Sequence, residues 1–110
     1  MERPFDFKIM AVDFDGTLCK DKWPEIGEPN SFIIEMIKLF QANNPGFKFI
    51  LWTCRAGERL HEAIRWCAIH GLIFDAVNEN LPEVIEWMGG DSRKIFADVY
   101  IDDKGLRWED

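Results

Sequence analysis

The chain has 110 residues, of which 47% are apolar and 30% are charged, and its net charge is −7. This length suits one domain that buries on the order of two-thirds of its unfolded surface, and the composition excludes a disordered chain. The excess of acidic residues disfavours general nucleic-acid binding, and no apolar run approaches the roughly 18 residues that a membrane span needs.

Four short apolar runs predict strands. They show little internal alternation, as strands buried on both faces of a parallel sheet do. In chain order the runs are residues 7–12, 47–52, 72–77 and 99–101.

Three stretches with helical spacing of apolar residues lie between the runs. The first, 31–43, has a start signal at Asn30-Ser31 and a stop at 43–46, and the second, 58–70, ends at Gly71. The third begins at Pro82 and ends before Gly89.

Alternating strands and helices predict an α/β fold: a three-layer, Rossmann-like domain with a mainly parallel sheet of about four strands and helices on both faces. We expect residues 1–110 to form this single domain, without room for an inserted cap. Residues 18–30 carry no element pattern and are expected to be a long irregular loop, which is uncommon unless the loop is functional.

Polar residues follow each apolar run. Asp13 ends the first, Thr53 the second, Asn78 the third and Asp102-Asp103 the fourth. Because ligands bind beyond the carboxyl ends of parallel strands, we expect these residues to gather at one sheet edge. Carboxylates beside a hydroxyl form a hard-oxygen site suited to Mg²⁺.

Asp13 and Asp15 lie one residue apart at the end of the first run. On a strand they point to the same side, and two such close carboxylates repel unless a proton or metal ion lies between them. The alternative is a simple Asp-Gly hairpin turn, which accounts for Asp15-Gly16 but not for Asp13.

The sequence Asp13-Phe-Asp15-Gly-Thr17 resembles the first motif of the haloacid dehalogenase-like (HAD) phosphohydrolases. Residues 50–53, Ile-Leu-Trp-Thr, resemble their second motif, and residues 99–103, Val-Tyr-Ile-Asp-Asp, their acidic fourth motif. The three motifs span the chain in the family's order. The resemblance implies a small, capless, Mg²⁺-dependent phosphatase.

The resemblance also implies residue roles. Asp13 is expected to be the nucleophile that forms an aspartyl-phosphate, and Asp15 the general acid/base that protonates the leaving oxygen and activates water. Mg²⁺ is expected to bind Asp13, Asp102 and the backbone carbonyl of Asp15, with Asp103 orienting a metal-bound water. Thr53 and backbone amides near Phe14 are expected to donate hydrogen bonds to phosphoryl oxygens.

The lysine that balances the phosphoryl charge in this family has two candidates. Lys94 is the first, although residues 94–97 must double back to bring its side chain to the carboxyl end of the strand. Lys104, next to the acidic pair, is the fallback. The alternative for Lys94 is a solvated surface lysine.

Several arginine, tryptophan and cysteine residues suggest roles outside these motifs. Arg55, Arg59 and Arg65 are expected to solvate a helix, with a local basic path for nucleic acid as the alternative. Trp23 either faces the substrate or packs on the surface. Cys19, Cys54 and Cys67 are an odd number at irregular spacing, typical of reduced thiols in a cytoplasmic protein.

An open site implies a bulky phosphorylated substrate, such as a nucleotide, a nucleic-acid end or a phosphoprotein, or a homo-oligomer whose neighbouring subunit acts as lid. It is equally compatible with low selectivity toward small phosphate esters. Two alternative functions remain: a phosphoaspartate signalling module like a response-regulator receiver, and a non-catalytic Mg²⁺-binding relative. Receivers place the phosphoacceptor after a middle strand, where this chain has Thr53 and Asn78.

Overall fold

A five-stranded sheet lies at the centre of the computed structural model, which describes residues 3–90 and 95–108. The strands in chain order are β1 (Lys8–Asp13), β2 (Cys19–Lys22), β3 (Glu25–Pro29), β4 (Phe47–Trp52), β5 (Ala76–Val77), β6 (Val99–Asp102) and β7 (Gly105–Trp108). The central sheet has the order β5-β4-β1-β6-β7, in which only β7 is antiparallel to its neighbour. The predicted mainly parallel sheet is confirmed, and β7 adds an antiparallel edge.

The three helices of the described residues match the predicted ones to within one residue. They are α1 (Ser31–Asn43), α2 (Gly57–Ile69) and α3 (Pro82–Met88). The Asn30 side chain accepts a hydrogen bond from the Ile33 N–H at the start of α1, at 3.5 Å. Gly89 ends α3 in the left-handed conformation, with φ of +77°. No helix in the described segments is long and apolar enough to cross a membrane.

The sheet is buried on both faces, which explains why its strands do not alternate between apolar and polar residues. In β1, Met10 and Val12 pack in one core with α1 and α2, whereas Ile9 and Ala11 pack in a second core with α3. Because α3 covers the face opposite α1 and α2, the predicted three-layer arrangement is confirmed.

The third predicted strand is wrong over most of its length, because β5 contains only Ala76 and Val77. Leu72 instead closes the end of α2: its N–H bonds to the Cys67 carbonyl at 2.8 Å, and its side chain is buried. Gly71, with φ of +82°, permits this reversal. Leu72 is therefore apolar because it covers the end of α2, and in the sequence this made the apolar run 72–77 look like a strand that begins at residue 72.

The expected irregular loop at 18–30 is also wrong. This segment contains β2 and β3, which pair antiparallel as a separate two-stranded sheet. Gly27 allows the strands to approach, since a Cβ there would clash with the Lys20 carbonyl. Most of the hairpin's side chains are exposed, so it lacks the apolar pattern by which strands are recognised.

Arg3 and Asp98 tie the start of the chain to the sheet. The guanidinium of Arg3 donates to both Asp98 oxygens, at 2.6 and 3.1 Å, and the Ile9 N–H donates to the same carboxylate at 2.9 Å. Burial raises the pKa of Asp98, but the hydrogen bonds from Arg3 and Ile9 and the charges of Arg3 and Lys8 outweigh it, so the pKa lies below its ordinary value of 3.8.

The lowered pKa gives Asp98 a pH-dependent contribution to stability. We expect Asp98→Asn to cost roughly 1–3 kcal/mol at pH 7. The ionised group stabilises the fold above pH 3.8, and this contribution is lost as the pH falls through the lower folded-state pKa. Urea unfolding of the two proteins should therefore differ at pH 7 and converge at low pH. The control Asp6→Asn changes an exposed residue and should alter the free energy of unfolding by less than about 0.5 kcal/mol. A difference between the wild type and Asp98→Asn that grows as the pH falls would contradict this account.

The cysteines differ in accessibility. Cys19 and Cys67 are buried, whereas Cys54 is exposed. Burial, with a smaller effect from the nearby Cys19, raises the pKa of the Cys67 thiol to about 12. A thiol reagent at pH 8 should modify Cys54 rapidly in the native protein, and Cys19 and Cys67 only after unfolding. Equal rates of modification for all three cysteines in the native protein would show that burial does not protect Cys19 and Cys67.

Candidate active site

Three polar residues meet where adjacent parallel strands end. Asp13 ends β1 and lies opposite Trp52 of β4, so that Thr53 follows immediately. On the other side Val12 pairs with Ile101, which brings Asp13 level with Asp102 at the end of β6. The chain runs from β1 outward through β4 to β5 and then returns to β6 beside β1. This reversal of strand order is where open α/β sheets form a ligand crevice.

Asp13 is half-buried among other carboxylates. Burial raises its pKa, the N–H of Phe14 lowers it, and the negative charges of Asp103, Asp15 and Asp102 raise it further, with a net increase. The Phe14 N–H donates to Asp13 Oδ1 at 2.9 Å. This amide therefore contributes to holding the carboxylate of Asp13.

Asp103, in the turn after β6, lies close to the turn that follows β1. Gly16 has φ of +83°, and a Cβ built on it would lie 3.5 Å from the Cβ of Asp103. The N–H of Lys104 donates to Asp102 Oδ1 at 2.9 Å in the tight turn between β6 and β7. The acidic cluster is thus formed by two turns on neighbouring strands.

The oxygen donors of this edge suit Mg²⁺. Within residues 3–90 and 95–108 no three His, Cys, Asp or Glu side chains form a preorganised metal cluster, but Mg²⁺ uses only one or two carboxylates and retains several waters. Asp13 and Asp102 with the Asp15 carbonyl would supply hard oxygens. Burial and, to a smaller extent, the neighbouring carboxylates raise the pKa of Asp13, and a cation would relieve the repulsion among these carboxylates.

Asp15 does not lie free beside Asp13, because both of its oxygens are bound by Arg55. Arg55 Nε donates to Oδ2 and Nη2 to Oδ1, each at 2.8 Å. The Arg55 side chain has no exposed surface, whereas that of Asp15 is 22% exposed. The hydrogen bonds that Arg55 donates to the Asp15 carboxylate raise the pKa of Arg55, which burial alone would lower.

Arg55 also holds the β2–β3 hairpin. Its Nη1 donates to the Pro24 carbonyl at 3.1 Å and its Nη2 to the Glu25 carbonyl at 2.9 Å. The guanidinium contacts two aromatic rings, with Cζ 5.2 Å from the Phe14 centroid and 5.0 Å from that of Trp23. One buried cation therefore connects the end of β1, the hairpin turn and the segment before α2.

Sequence reasoning missed this role. Arg55 was expected to solvate a helix, but it precedes the first residue of α2, Gly57, and is buried. Arg65 is exposed and Arg59 lies 3.5 Å from Glu62, so these two do behave as helix-surface residues. The available signal was a cation three residues after the second apolar run, at the sheet edge where the paired acids Asp13 and Asp15 need a counter-charge.

Thr53 is buried and linked to its neighbours. Its N–H donates to Asn78 Oδ1 at 2.7 Å, and its hydroxyl accepts the N–H of Arg55 at 3.1 Å. Since the hydroxyl is the acceptor in that contact, its own proton can be donated to another oxygen. Asn78, the residue after β5, orients the backbone of Thr53 and adopts a positive φ of 56°.

The two lysine candidates are Lys94 and Lys104. Lys94 lies outside the described residues. Lys104 lies in the turn after Asp102, adjacent to the acidic cluster. The choice between them stays a prediction.

Comparison with known proteins identifies a relative but no activity. No family model matches the chain, and no curated protein matches it. A solved structure of a conserved protein from Bacteroides thetaiotaomicron superposes with a TM-score of 0.76 and 44% sequence identity, over 90% of this chain and 78% of that one. This chain belongs to the family of that protein. The relationship shows a shared fold and gives no activity.

Removing the buried cation tests the central role of Arg55. We expect Arg55→Met to reduce the free energy of unfolding by about 2–5 kcal/mol, because Asp15 and two hairpin carbonyls lose their donor. Arg59→Met removes an arginine whose side chain is 43% exposed and should cost less than about 1 kcal/mol. Urea unfolding of both variants measures the difference. Equal losses would show that the Arg55 contacts contribute nothing particular to stability.

Proposed function

We propose that this protein is a Mg²⁺-dependent phosphatase that hydrolyses phosphate monoesters through a phosphorylated Asp13. The observation that carries the proposal is the placement of Asp13 at the end of the central strand, level with Asp102 and beside Thr53. The resemblance of three sequence motifs to HAD phosphohydrolases supports it independently.

In the first step, an Asp13 oxygen bonds to phosphorus while the bond between phosphorus and the ester oxygen breaks. The leaving oxygen takes a proton from Asp15, and the Thr53 hydroxyl donates a hydrogen bond to a phosphoryl oxygen. In the second step, water gives a proton to Asp15 and attacks phosphorus, which releases phosphate and restores Asp13. Bound Mg²⁺ supplies positive charge that lets an anionic carboxylate approach an anionic phosphate.

The remaining charged groups have supporting roles in this proposal. Asp102 and the Asp15 carbonyl would hold Mg²⁺ together with Asp13, and Asp103 would orient a water beside it. Lys94 balances the phosphoryl charge, with Lys104 as the alternative. The segment between β1 and α1 is a short hairpin, which supports an open site for a bulky substrate or for a neighbouring subunit as lid. We place the protein in the cytoplasm because its thiols are unpaired.

A specific contact favours the second candidate function, a phosphoaspartate signalling module. Both Asp15 oxygens accept hydrogen bonds from Arg55. A proton on Asp15 must therefore displace one of these bonds, which slows the proton transfers that turnover requires. A chain that phosphorylates Asp13 but releases phosphate slowly would act as a phosphoacceptor.

A phosphate-release assay tests the main proposal. Wild-type protein should release phosphate from at least one member of a broad phosphomonoester panel with Mg²⁺, and lose this activity with a chelator. Asp13→Asn should lower the rate by at least about 1,000-fold, because the nucleophile is gone. Asp6→Asn, two residues before the start of β1, serves as the matched control and should retain activity. No release above the Asp13→Asn background from any substrate would refute the phosphatase.

Labelling with a phosphoryl donor separates the two candidate functions. For a phosphatase, we expect the label to remain trace-level in the wild type and to accumulate toward one phosphate per chain in Asp15→Asn, whose water-activating group is removed. A stoichiometric, long-lived label in the wild type would instead identify the signalling module.

A further inference from the structure

Asn78 lies at the carboxyl edge of the sheet, and the proposed mechanism gives it no role. It directly follows β5, and its N–H donates to the Leu51 carbonyl of β4 at 2.8 Å. Its φ is +56°, a left-handed conformation that few side chains adopt and that asparagine tolerates. Because such a conformation persists only where the surrounding structure maintains it, the contacts of this side chain indicate its role.

The side-chain amide of Asn78 contacts both ends of the segment 53–55, which lies between β4 and α2. Its Oδ1 accepts the N–H of Thr53 at 2.7 Å, and its Nδ2 donates to the Arg55 carbonyl at 3.4 Å. The first distance is that of a short, strong hydrogen bond, whereas the second is longer than the usual range. The bond to Thr53 is therefore the stronger of the two contacts.

The backbone that Asn78 holds carries the hydroxyl that the proposed mechanism uses. The Thr53 hydroxyl accepts the N–H of Arg55 at 3.1 Å, which leaves its own proton for a phosphoryl oxygen. Where that hydroxyl lies depends on the backbone of Thr53, and the backbone N–H is bound by Asn78. A displacement of about 1 Å in a group that positions the substrate can lower the rate by about 100-fold.

Asn78 and Thr53 differ in burial. Asn78 is exposed, whereas Thr53 is buried. The side chain of Asn78 therefore adds little to the core, and its removal gives water access to the Thr53 N–H in place of the lost acceptor. Loss of this side chain should thus alter the position of Thr53 more than it alters the stability of the fold.

We propose that Asn78 is a positioning residue, which holds the backbone of Thr53 so that the threonine hydroxyl can donate to a phosphoryl oxygen. The proposal rests on the phosphatase function, since it takes Thr53 as a group that binds the phosphate. Asn78 acts through Thr53 and does not itself contact the reacting atoms.

Asn78→Gly tests the effect on the rate. Glycine keeps the left-handed backbone conformation and removes only the side-chain amide. Phosphate release with Mg²⁺ is measured at a temperature where the variant is fully folded. We expect kcat/KM to fall by about 10- to 100-fold, as it does when residues that orient a site's ligands are replaced. An unchanged kcat/KM would overturn the proposal.

Amide hydrogen exchange at Thr53, followed by NMR, measures the hydrogen bond itself and requires no activity. Exchange should be at least about 10-fold faster in Asn78→Gly than in the wild type, because the amide has lost its acceptor. Asn78→Asp keeps an oxygen at this position and tolerates the left-handed conformation, so exchange should stay close to that of the wild type. Exchange that is equally slow in Asn78→Gly would show that Asn78 does not hold this backbone.

Thr53→Ala shows whether Asn78 acts through the hydroxyl. Once the hydroxyl is removed, its position no longer matters, so adding Asn78→Gly should lower kcat/KM by less than about 3-fold further. If Asn78→Gly causes its full loss in the Thr53→Ala background, Asn78 acts on the reaction by another route, and the positioning role is refuted.

Asn44→Gly is the matched control. It removes a side-chain hydrogen bond of 2.9 Å to the Phe40 carbonyl at the end of α1. Both kcat/KM and the exchange rate at Thr53 should remain those of the wild type. A loss of activity equal to that of Asn78→Gly would show that a general loss of stability explains both variants.

The failures of the two proposals are distinguishable. If the wild type hydrolyses an ester and Asn78→Gly retains its full kcat/KM, the phosphatase stands and the positioning role fails. If the wild type releases phosphate from no ester, the phosphatase proposal fails, and the exchange rate at Thr53 alone decides whether Asn78 positions this residue.

Discussion

The bidentate ion pair between Arg55 and Asp15 is the contact on which the arrangement of this site depends. A buried guanidinium is costly unless its donors are satisfied, and here two carboxylate oxygens and two hairpin carbonyls accept from it. The pair therefore sets the position of the hairpin relative to the sheet edge. It also restrains Asp15, the residue that the proposed mechanism needs for proton transfer.

Like charge is the second constraint. The carboxyl end of the sheet concentrates four carboxylates, and burial together with their smaller mutual repulsion raises the pKa of Asp13. Such a cluster costs free energy in the absence of a cation. Under the proposed function this cost is offset when Mg²⁺ and a phosphate bind. The guanidinium of Arg55 offsets the negative charge of Asp15 within this cluster.

The helices and the central strands were predictable because their signals are local. Asn30, Gly71, Pro82 and Gly89 mark helix ends, and continuous apolar runs mark strands buried on both faces. The failures have local causes too. Leu72 is apolar because it covers the end of α2, and the β2–β3 hairpin is mostly exposed, with its strands brought together by Gly27. The first is an apolar residue outside a strand, and the second is a pair of strands without an apolar run.

The sequence by itself determined which edge carries the candidate site. Asp13, Thr53 and Asp102 each follow a strand, and parallel strands bring their carboxyl ends together whatever the details of packing. Only the tertiary structure decided how Asp15 is held and where Trp23 lies, because Arg55 reaches Asp15 across 40 residues and no local pattern encodes that contact. A periodic pattern records burial, whereas an ion pair depends on the three-dimensional approach of two side chains from separate elements.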